Sequence, residues 1–488
     1  MQRTTSRRNF LRVSSMAAGS MIVGFDPRVG SWVTAALAAS GMIEVPALDG
    51  VLVLDEMSRS AAADDFGHIV HCQPSAVLKP GSVEDIARMV RFASKNRLKI
   101  AARGQGHSTY GQPQVEAGVV VDMSTLARVH SIAERSADVD AGVLWSTLVD
   151  ATLARGQTPP VLTDYIDLTV GGTLAVGGIG GMSSRYGAQI DNVLALTVVT
   201  GKGEICECSP SYNPDLFESV LGGLGQYGIV VRATLRLVPA PARARVYTAF
   251  YSDLETFTGD QMRVVADERF DYVEGQAIAK PAGGWMYMLE ASAYYTPPAV
   301  PDDTALLAGL SYDLGPASHA DHSYRDFAHR LDPLVSSLKA AGAWSVPHPW
   351  FDVFVPGNAV VDYLSSVMAD LTVAGTGNGP VVFYPMPRAR FTRPLLRLPN
   401  DPVVFLFDIL RFAVPPTAEV VTAMLAANRS LYDRVVALGG KRYPIGAIPD
   451  FTRTDWKRHY HGEWGRVVRD KHRFDPRDVL TPGQGIFK

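Results

Sequence analysis

The chain has 488 residues, 47% hydrophobic and 19% charged, which suits two or three globular domains and excludes a disordered chain. A formal charge of −3, from 46 Lys+Arg against 49 Asp+Glu, leaves no polybasic field for nucleic acid or anionic lipid, so a small molecule is the default partner. The three cysteines, Cys72, Cys206 and Cys208, are too few for a disulfide framework and do not have the spacing of a zinc site, and no metal is expected.

Ser6-Arg7-Arg8-Asn9-Phe10-Leu11-Arg12 is a twin-arginine pattern, followed by an apolar stretch from Val13 to Phe25 and a cleavage-like Ala36-Leu37-Ala38. A basic disordered terminus is the plainer reading, but the combination favours residues 1–38 as a twin-arginine signal peptide that sends the protein to the periplasm or outside the cell. The apolar stretch is too short and too rich in glycine and serine to span a bilayer, so no membrane anchor is expected. Ser82 is placed to cap a helix with Glu84 and Asp85 in its first turn, and Ile86, Met89, Val90 and Ala93 recur at the spacing of one buried face. Leu98 to Ala102 reads as a strand. It runs into Gly104-Gln105-Gly106-His107-Ser108 and then Gly111-Gln112, where glycines past a strand let backbone N–H groups close on an anion. Taken alone, this is a surface turn with a solvent-facing histidine.

Val119 to Val121 and Ala137 to Gly142 read as short strands and Trp145 to Ala154 as a helix, an alternation that points to an α+β or α/β layer fold. After Thr163-Asp164-Tyr165 comes a glycine-dense run, Gly171 to Gly181. Each glycine costs a helix roughly 0.5–1 kcal/mol relative to alanine, so this run is not expected to be helical. A flexible linker would be polar, whereas Val170, Leu174, Val176 and Ile179 interleave the run; backbone wrapped over a large flat ligand fits better. Gln189 to Val199 reads as a strand, Gly201-Lys202-Gly203 as a hairpin turn into Glu204 to Cys208, and Asn213 as the cap of a helix with Pro214 at its first position. Gly223-Leu224-Gly225-Gln226-Tyr227-Gly228 satisfies the dinucleotide fingerprint, but a helix precedes it and an alternating strand, Ile229 to Leu237, follows. That is the reverse of the required context, and the nicotinamide reading is rejected. Pro239, Pro241 and Ala242 mark a domain boundary. His459 and His461 stand two apart in a helical stretch and face apart, His348 between two prolines reads as a packed loop residue, and no Gly-x-Ser-x-Gly elbow is present.

The segment Gly104 to Ser108 with Gly111-Gln112 resembles the flavin-attachment motif of the vanillyl-alcohol oxidase type flavoproteins, and most of all their cytokinin dehydrogenase branch. Thr163-Asp164-Tyr165, Leu168 to Leu174, Gln189 to Val193, Val198 to Glu204 and Leu221 to Ile229 resemble that family's blocks in the same order. The resemblance implies an α+β fold: an FAD-binding domain over residues 45–242, an inserted α+β substrate domain over 243–440, and a C-terminal segment, 441–488, returning to the FAD domain. It implies FAD attached covalently through His107. Gly104, Gln105, Gly106, Ser108, Gln112, Asp164, Thr169, Gly172, Thr173, Gly177, Gly178, Gly180, Ile229, Tyr443 and Gln484 would stand on the cofactor side. Berberine-bridge relatives attach the flavin a second time through a cysteine in the glycine-rich block; this run has Ile179 and Met182 and no Cys, so single attachment is expected.

The same resemblance makes Asp164 the active-site base and places Glu274, within Asp271-Tyr272-Val273-Glu274-Gly275, in the pocket. Read from the residues, Asp164 stands among Val161, Leu162, Tyr165 and Ile166, which would desolvate it and raise its pKa, while a turn-forming or capping aspartate is the plainer reading. The implied reaction is oxidation of a secondary allylic amine through an imine that water splits to an aldehyde and a freed amine. Isopentenyladenine would give adenine and an unsaturated aldehyde. A quinone or oxygen would accept the electrons, and the residues leave that choice open. Phe391 stands where the family block ends in Trp, and Tyr443-Pro444-Ile445 departs in order from a family Tyr-Leu-Pro block. A covalent-FAD oxidase of a sugar, lactone or aromatic alcohol is therefore the alternative, and a non-catalytic flavin-binding protein the second.

Overall fold

The structure, a computed structural model, is described for residues 22–28, 30–34 and 43–487. The twin-arginine pattern and Ala36-Leu37-Ala38 lie outside the described residues. Within the span read as a signal peptide, Ile22–Asp26 and Ser31–Thr34 form an antiparallel hairpin that also pairs with Ile43–Glu44. Trp32 stacks on Phe92 with ring centroids 5.7 Å apart, and its Nε1 donates to Ser75 Oγ at 3.0 Å.

The helix Val83–Asn96 starts where the capping pattern puts it: Ser82 Oγ accepts from Asp85 N–H, and Ile86, Met89, Val90 and Ala93 are buried. Beside it, Ile100–Arg103, Val119–Asp122 and Ala76–Lys79 lie parallel, with Val51–Val53 antiparallel at the edge. A second, antiparallel sheet runs Ile205–Cys208, Val193–Thr200, Gly228–Arg236, Ser136–Asp140, Val129–Ala133. Ile229, Val231, Ala233 and Leu235 alternate into its core. The fingerprint-like glycines 223–228 sit between the helix Pro214–Val220 and the strand Gly228–Arg236, the reverse of a dinucleotide-binding turn.

Three local expectations are corrected. The glycine-dense run opens with a short helix, Val170–Leu174, because Thr169 Oγ1 caps Gly172 N–H and the close approach of Ala141 leaves room only for glycine at 171. Tertiary packing here overrides propensity. Residues Gln189–Asn192 form a 3-10 turn rather than the start of the strand. Asn213 adopts a left-handed conformation (φ 49°) and makes no side-chain cap; its Nδ2 donates instead to Glu207 O at 2.8 Å.

The third sheet has eight antiparallel strands in the order Ser318–Ser323, Arg243–Tyr251, Trp285–Tyr295, Tyr272–Ala279, Val381–Pro387, Val403–Ile409, Phe351–Pro356, Lys441–Arg442. Alternation along the strands separates its faces. Val273, Phe383, Phe405, Phe407 and Val353 pack with Phe257, Leu364 and Leu431 of covering helices in one core. Glu274, Tyr384, Asp408 and Asp352 point the other way, toward a cavity shared with the glycine-rich segments. The end of the chain returns to the first sheet: Ile100 N–H donates to Val479 O at 2.8 Å and Thr481 N–H to Ile100 O at 2.7 Å.

Candidate active site

The loop after Ile100–Arg103 turns back through Gly106 (φ 64°) and Gly111 (φ 78°), left-handed positions that strain any residue with a side chain. A Cβ on Gly106 would also meet the Arg103 guanidinium, and one on Gly104 would meet Thr169 Oγ1. The loop is anchored from outside the site. Gly111 N–H donates to Asp65 Oδ2 at 2.6 Å, Thr109 N–H to Ile445 O at 3.1 Å, and Gln112 Nε2 to the carbonyls of Ile445 and Gly446 at 3.3 and 3.2 Å. Burial pushes Asp65 up to about 7 against the pull of the Gly111 and Gly67 amides and Arg103. Among the described residues the N–H groups of Gln105, Gly106, His107 and Ser108 find no acceptor, an array of donors suited to an anion.

These residues line a cavity of about 750 Å³ between the glycine-rich segments and the eight-stranded sheet, within the roughly 300–1,000 Å³ of pockets for cofactors and small ligands. Of the residues singled out from sequence, Gly104, Gln105, Gly106, His107, Ser108, Gln112, Asp164, Thr169, Gly172, Thr173, Gly178, Ile229, Glu274, Tyr443 and Gln484 line it. Gly177 and Gly180 do not. A Cβ on Gly180 would run into the Leu162 carbonyl, and one on Gly177 would crowd Leu396 and Tyr443, so both serve backbone packing. Thr173 Oγ1 accepts from Trp145 Nε1 at 2.8 Å, and Tyr443 Oη accepts from Gly178 N–H at 3.2 Å, tying the glycine run to the C-terminal part. Phe391 lies outside the cavity wall, partly buried against the core.

His107 sits in an aromatic cage that sequence spacing could not reveal: ring centroids lie 4.0 Å from Phe66, 5.0 Å from Tyr165, 5.5 Å from Trp350 and 5.8 Å from Trp344. Burial, helped by His348 and Lys339, pushes its pKa down to about 3, so the imidazole is neutral. His348 is a packed loop residue, as its prolines suggest, stacked on Phe66 at 4.2 Å with Nδ1 donating to Phe66 O at 3.0 Å. A donor array, a neutral histidine and a cavity of this size fit FAD.

Across the cavity, the expected apolar surroundings of Asp164 are replaced by polar ones. Arg330 Nη2 and Tyr272 Oη both donate to Asp164 Oδ1, the latter at 3.2 Å, and Arg330 Nη2 also donates to Tyr272 Oη at 2.6 Å. Glu274 makes a side-chain hydrogen bond with the Asp164 carboxyl as well, and the Asp164 side chain is 34% exposed. Burial opposes the Arg330 charge, but Tyr272, Asp164, Glu274 and Glu290 outweigh it and raise its pKa well above the ordinary value. Burial, and then the nearby Asp164 charge, raises Glu274 well above the carboxylate range, so it is held as a neutral acid. Sequence reasoning missed Arg330, which reaches Asp164 from 166 positions away, and the buried acids Asp352 and Asp408 on the same wall. Among the described residues no cluster of three or more His, Cys, Asp or Glu could hold a metal ion, and no helix is long and apolar enough to cross a membrane.

The chain matches the family model described as cytokinin dehydrogenase 1, FAD and cytokinin binding, over residues 276–487, and that described as FAD binding domain over residues 74–209. It is 41% identical over 436 residues to a Rhodococcoides fascians protein named uncharacterized oxidoreductase ORF5 in fasciation locus, covering 89% of this chain and 99% of that one. It is 37% identical over 492 residues to cytokinin dehydrogenase 5 of Oryza sativa subsp. japonica, covering 90% of this chain and 91% of that protein. With cytokinin dehydrogenase 2 of Arabidopsis thaliana the identity is 37% over 485 residues, covering 91% and 95%.

Proposed function

The chain belongs to the cytokinin dehydrogenase family and is an FAD-dependent oxidoreductase, and from that premise we propose that it oxidises a secondary allylic amine of the cytokinin type, with FAD joined covalently to His107. One observation carries the substrate chemistry: Asp164 lines the cavity, its Oδ1 fixed by Arg330 and Tyr272, with a third of the side chain open to the space where a substrate N–H would lie.

Bound FAD supplies the hydride acceptor. Arg330 and Tyr272 hold the Asp164 carboxyl in one orientation, so the amine proton passes to that carboxyl as the C–H bond beside the nitrogen breaks. Glu274, neutral and adjacent, has a hydrogen to share with the Asp164 carboxyl, which an ionised acid in its place could not do, and so helps to hold that carboxyl for the substrate. The amine loses one proton to Asp164 and one hydride, becoming an imine; water then cleaves it to an aldehyde and a freed amine. The N–H groups of residues 105–108 would hold the cofactor's phosphates, and the neutral His107 ring would offer the nitrogen for attachment to the flavin. The electrons leave to a quinone or oxygen.

The test is a visible spectrum of acid-precipitated protein, paired with bleaching of the native enzyme by isopentenyladenine. Yellow colour staying with the precipitate, and bleaching, are the expected results. Asp164→Asn should stay yellow while kcat falls about 10²–10⁴-fold, the usual worth of a general base. Colour lost to the supernatant removes the covalent bond to His107; colour retained without bleaching removes the amine and turns the search to alcohols and sugars.

A further inference from the structure

Two acids on the sheet wall of the cavity take no part in that reaction. Asp352 and Asp408 are direct cross-strand partners where Phe351–Pro356 pairs with Val403–Ile409, so their Cβ atoms stand about 4.5–5.5 Å apart on one face. Both are buried and both line the cavity. Two ionised carboxylates cannot share such a place, and they stay there by holding a proton between them. Burial pushes Asp352 up to about 8 and raises Asp408 well above the carboxylate range, with Arg442 supplying opposite charge to Asp352. Apart from the hydrogen bond the two acids make with each other, Asp352 Oδ1 and Oδ2 and Asp408 Oδ1 are buried with no other hydrogen-bond partner among the described residues, a condition that buried polar atoms seldom tolerate. On the wall beside them Val382, Leu406 and Leu410 are apolar, and Arg442 from the edge strand is the cation that balances Asp352.

The pair is placed to meet the far end of a substrate. In the register Gln276–Val382–Asp408, Asp408 lies two strands across and one side-chain pair along from Glu274, roughly 12 Å between backbones at standard strand spacing. Asp164 is 34% exposed, whereas Glu274 and both aspartates are buried, so the pair lies with Glu274 on the buried side of the site from Asp164.

We propose that Asp352 and Asp408 act as a proton-sharing pair that receives a hydrogen-bond donor, a hydroxyl or amino group, on the inward end of the substrate and sets a preference for a polar over a plain alkyl terminus. The proposal rests on the amine-oxidation reading above. Its test compares kcat/KM for isopentenyladenine and for its analogue bearing a hydroxyl on a terminal methyl, in the wild-type holoenzyme, Asp408→Leu and Asp408→Asn. The hydroxyl-to-alkyl ratio should fall at least tenfold in the leucine variant and threefold in the asparagine variant, carried mainly by KM. Should leucine yield no folded holoprotein, the isosteric asparagine decides alone. A smaller fall in a folded variant overturns the pair's role and leaves amine oxidation standing; turnover of neither amine by the wild type overturns the functional reading and this proposal with it.

Discussion

Glu274 has the most telling surroundings of any single residue. It is fully enclosed, faces Asp164, and leaves Oε1 without a partner, so the charged form has burial and a like charge against it. A carboxylic acid kept neutral has the shape and the donor of a glutamine side chain. Glu274→Gln should therefore keep kcat within about tenfold of the wild type, whereas Glu274→Ala, which removes the donor and leaves a hole beside Arg330 and Tyr272, should lose a hundredfold or more; steady-state turnover of isopentenyladenine measures both. Equal losses in the two variants would mean that the acid works ionised. Asp164 and Glu274 could be picked from sequence because they sit in recognisable local blocks, but their setting could not. Arg330 and Asp164 touch across 166 positions, and the Asp352–Asp408 contact is created by strand register, which no local pattern encodes.

At the scale of elements, periodicity told most and glycine told least. The helix Val83–Asn96 and the strand Gly228–Arg236 announce themselves through 3.6- and 2-residue spacing and a capping serine. The helix Val170–Leu174 does not, since two glycines argue against it and only close contacts explain them: a Cβ on Gly171 would stand 2.7 Å from the Ala141 Cβ, and one on Gly172 2.8 Å from Thr169 Oγ1. Helix propensity alone favours Gly171→Ala by about 0.5–1 kcal/mol, but overpacking costs about 1–3 kcal/mol. The variant should thus melt at lower temperature and carry less flavin, because the helix's Thr169 and Gly172 are part of the cavity wall. Adding Ala141→Gly makes room for the new methyl, and the double variant should regain both flavin content and melting temperature relative to Gly171→Ala. Additive losses in the double variant would show that Gly171 is there for some reason other than the space.

For the whole molecule, the segment from Asp475 to Phe487 decides whether the cofactor loop has a floor. Asp475, fully buried, accepts from Lys471 Nζ at 2.8 Å and from the N–H groups of Val479 and Leu480 at 2.9 and 2.8 Å. That carboxylate turns the chain so that Val479 and Thr481 hydrogen-bond to Ile100, the strand that leads into the loop, and Lys471 in turn donates to Gln226 O at 3.1 Å. Two positions on, a Cβ on Gly483 would collide with the carbonyls of Gly111 and Gln112, so the closing segment lies directly against the loop. Asp475→Ala leaves two buried N–H groups without their acceptor, at about 1–3 kcal/mol each, and takes one of the two carboxylates from the Lys471 ammonium, which keeps Asp478 Oδ1 at 3.0 Å. A comparable charge at the surface, the exposed Arg325–Asp150 pair at 2.7 Å, is worth no more than about 1 kcal/mol. Asp475→Ala should accordingly unfold at much lower urea than Arg325→Gln and emerge with a reduced ratio of flavin to protein absorbance. A full flavin complement in Asp475→Ala would separate the two effects, leaving the C-terminal segment a clamp on the fold with no hold on the cofactor loop.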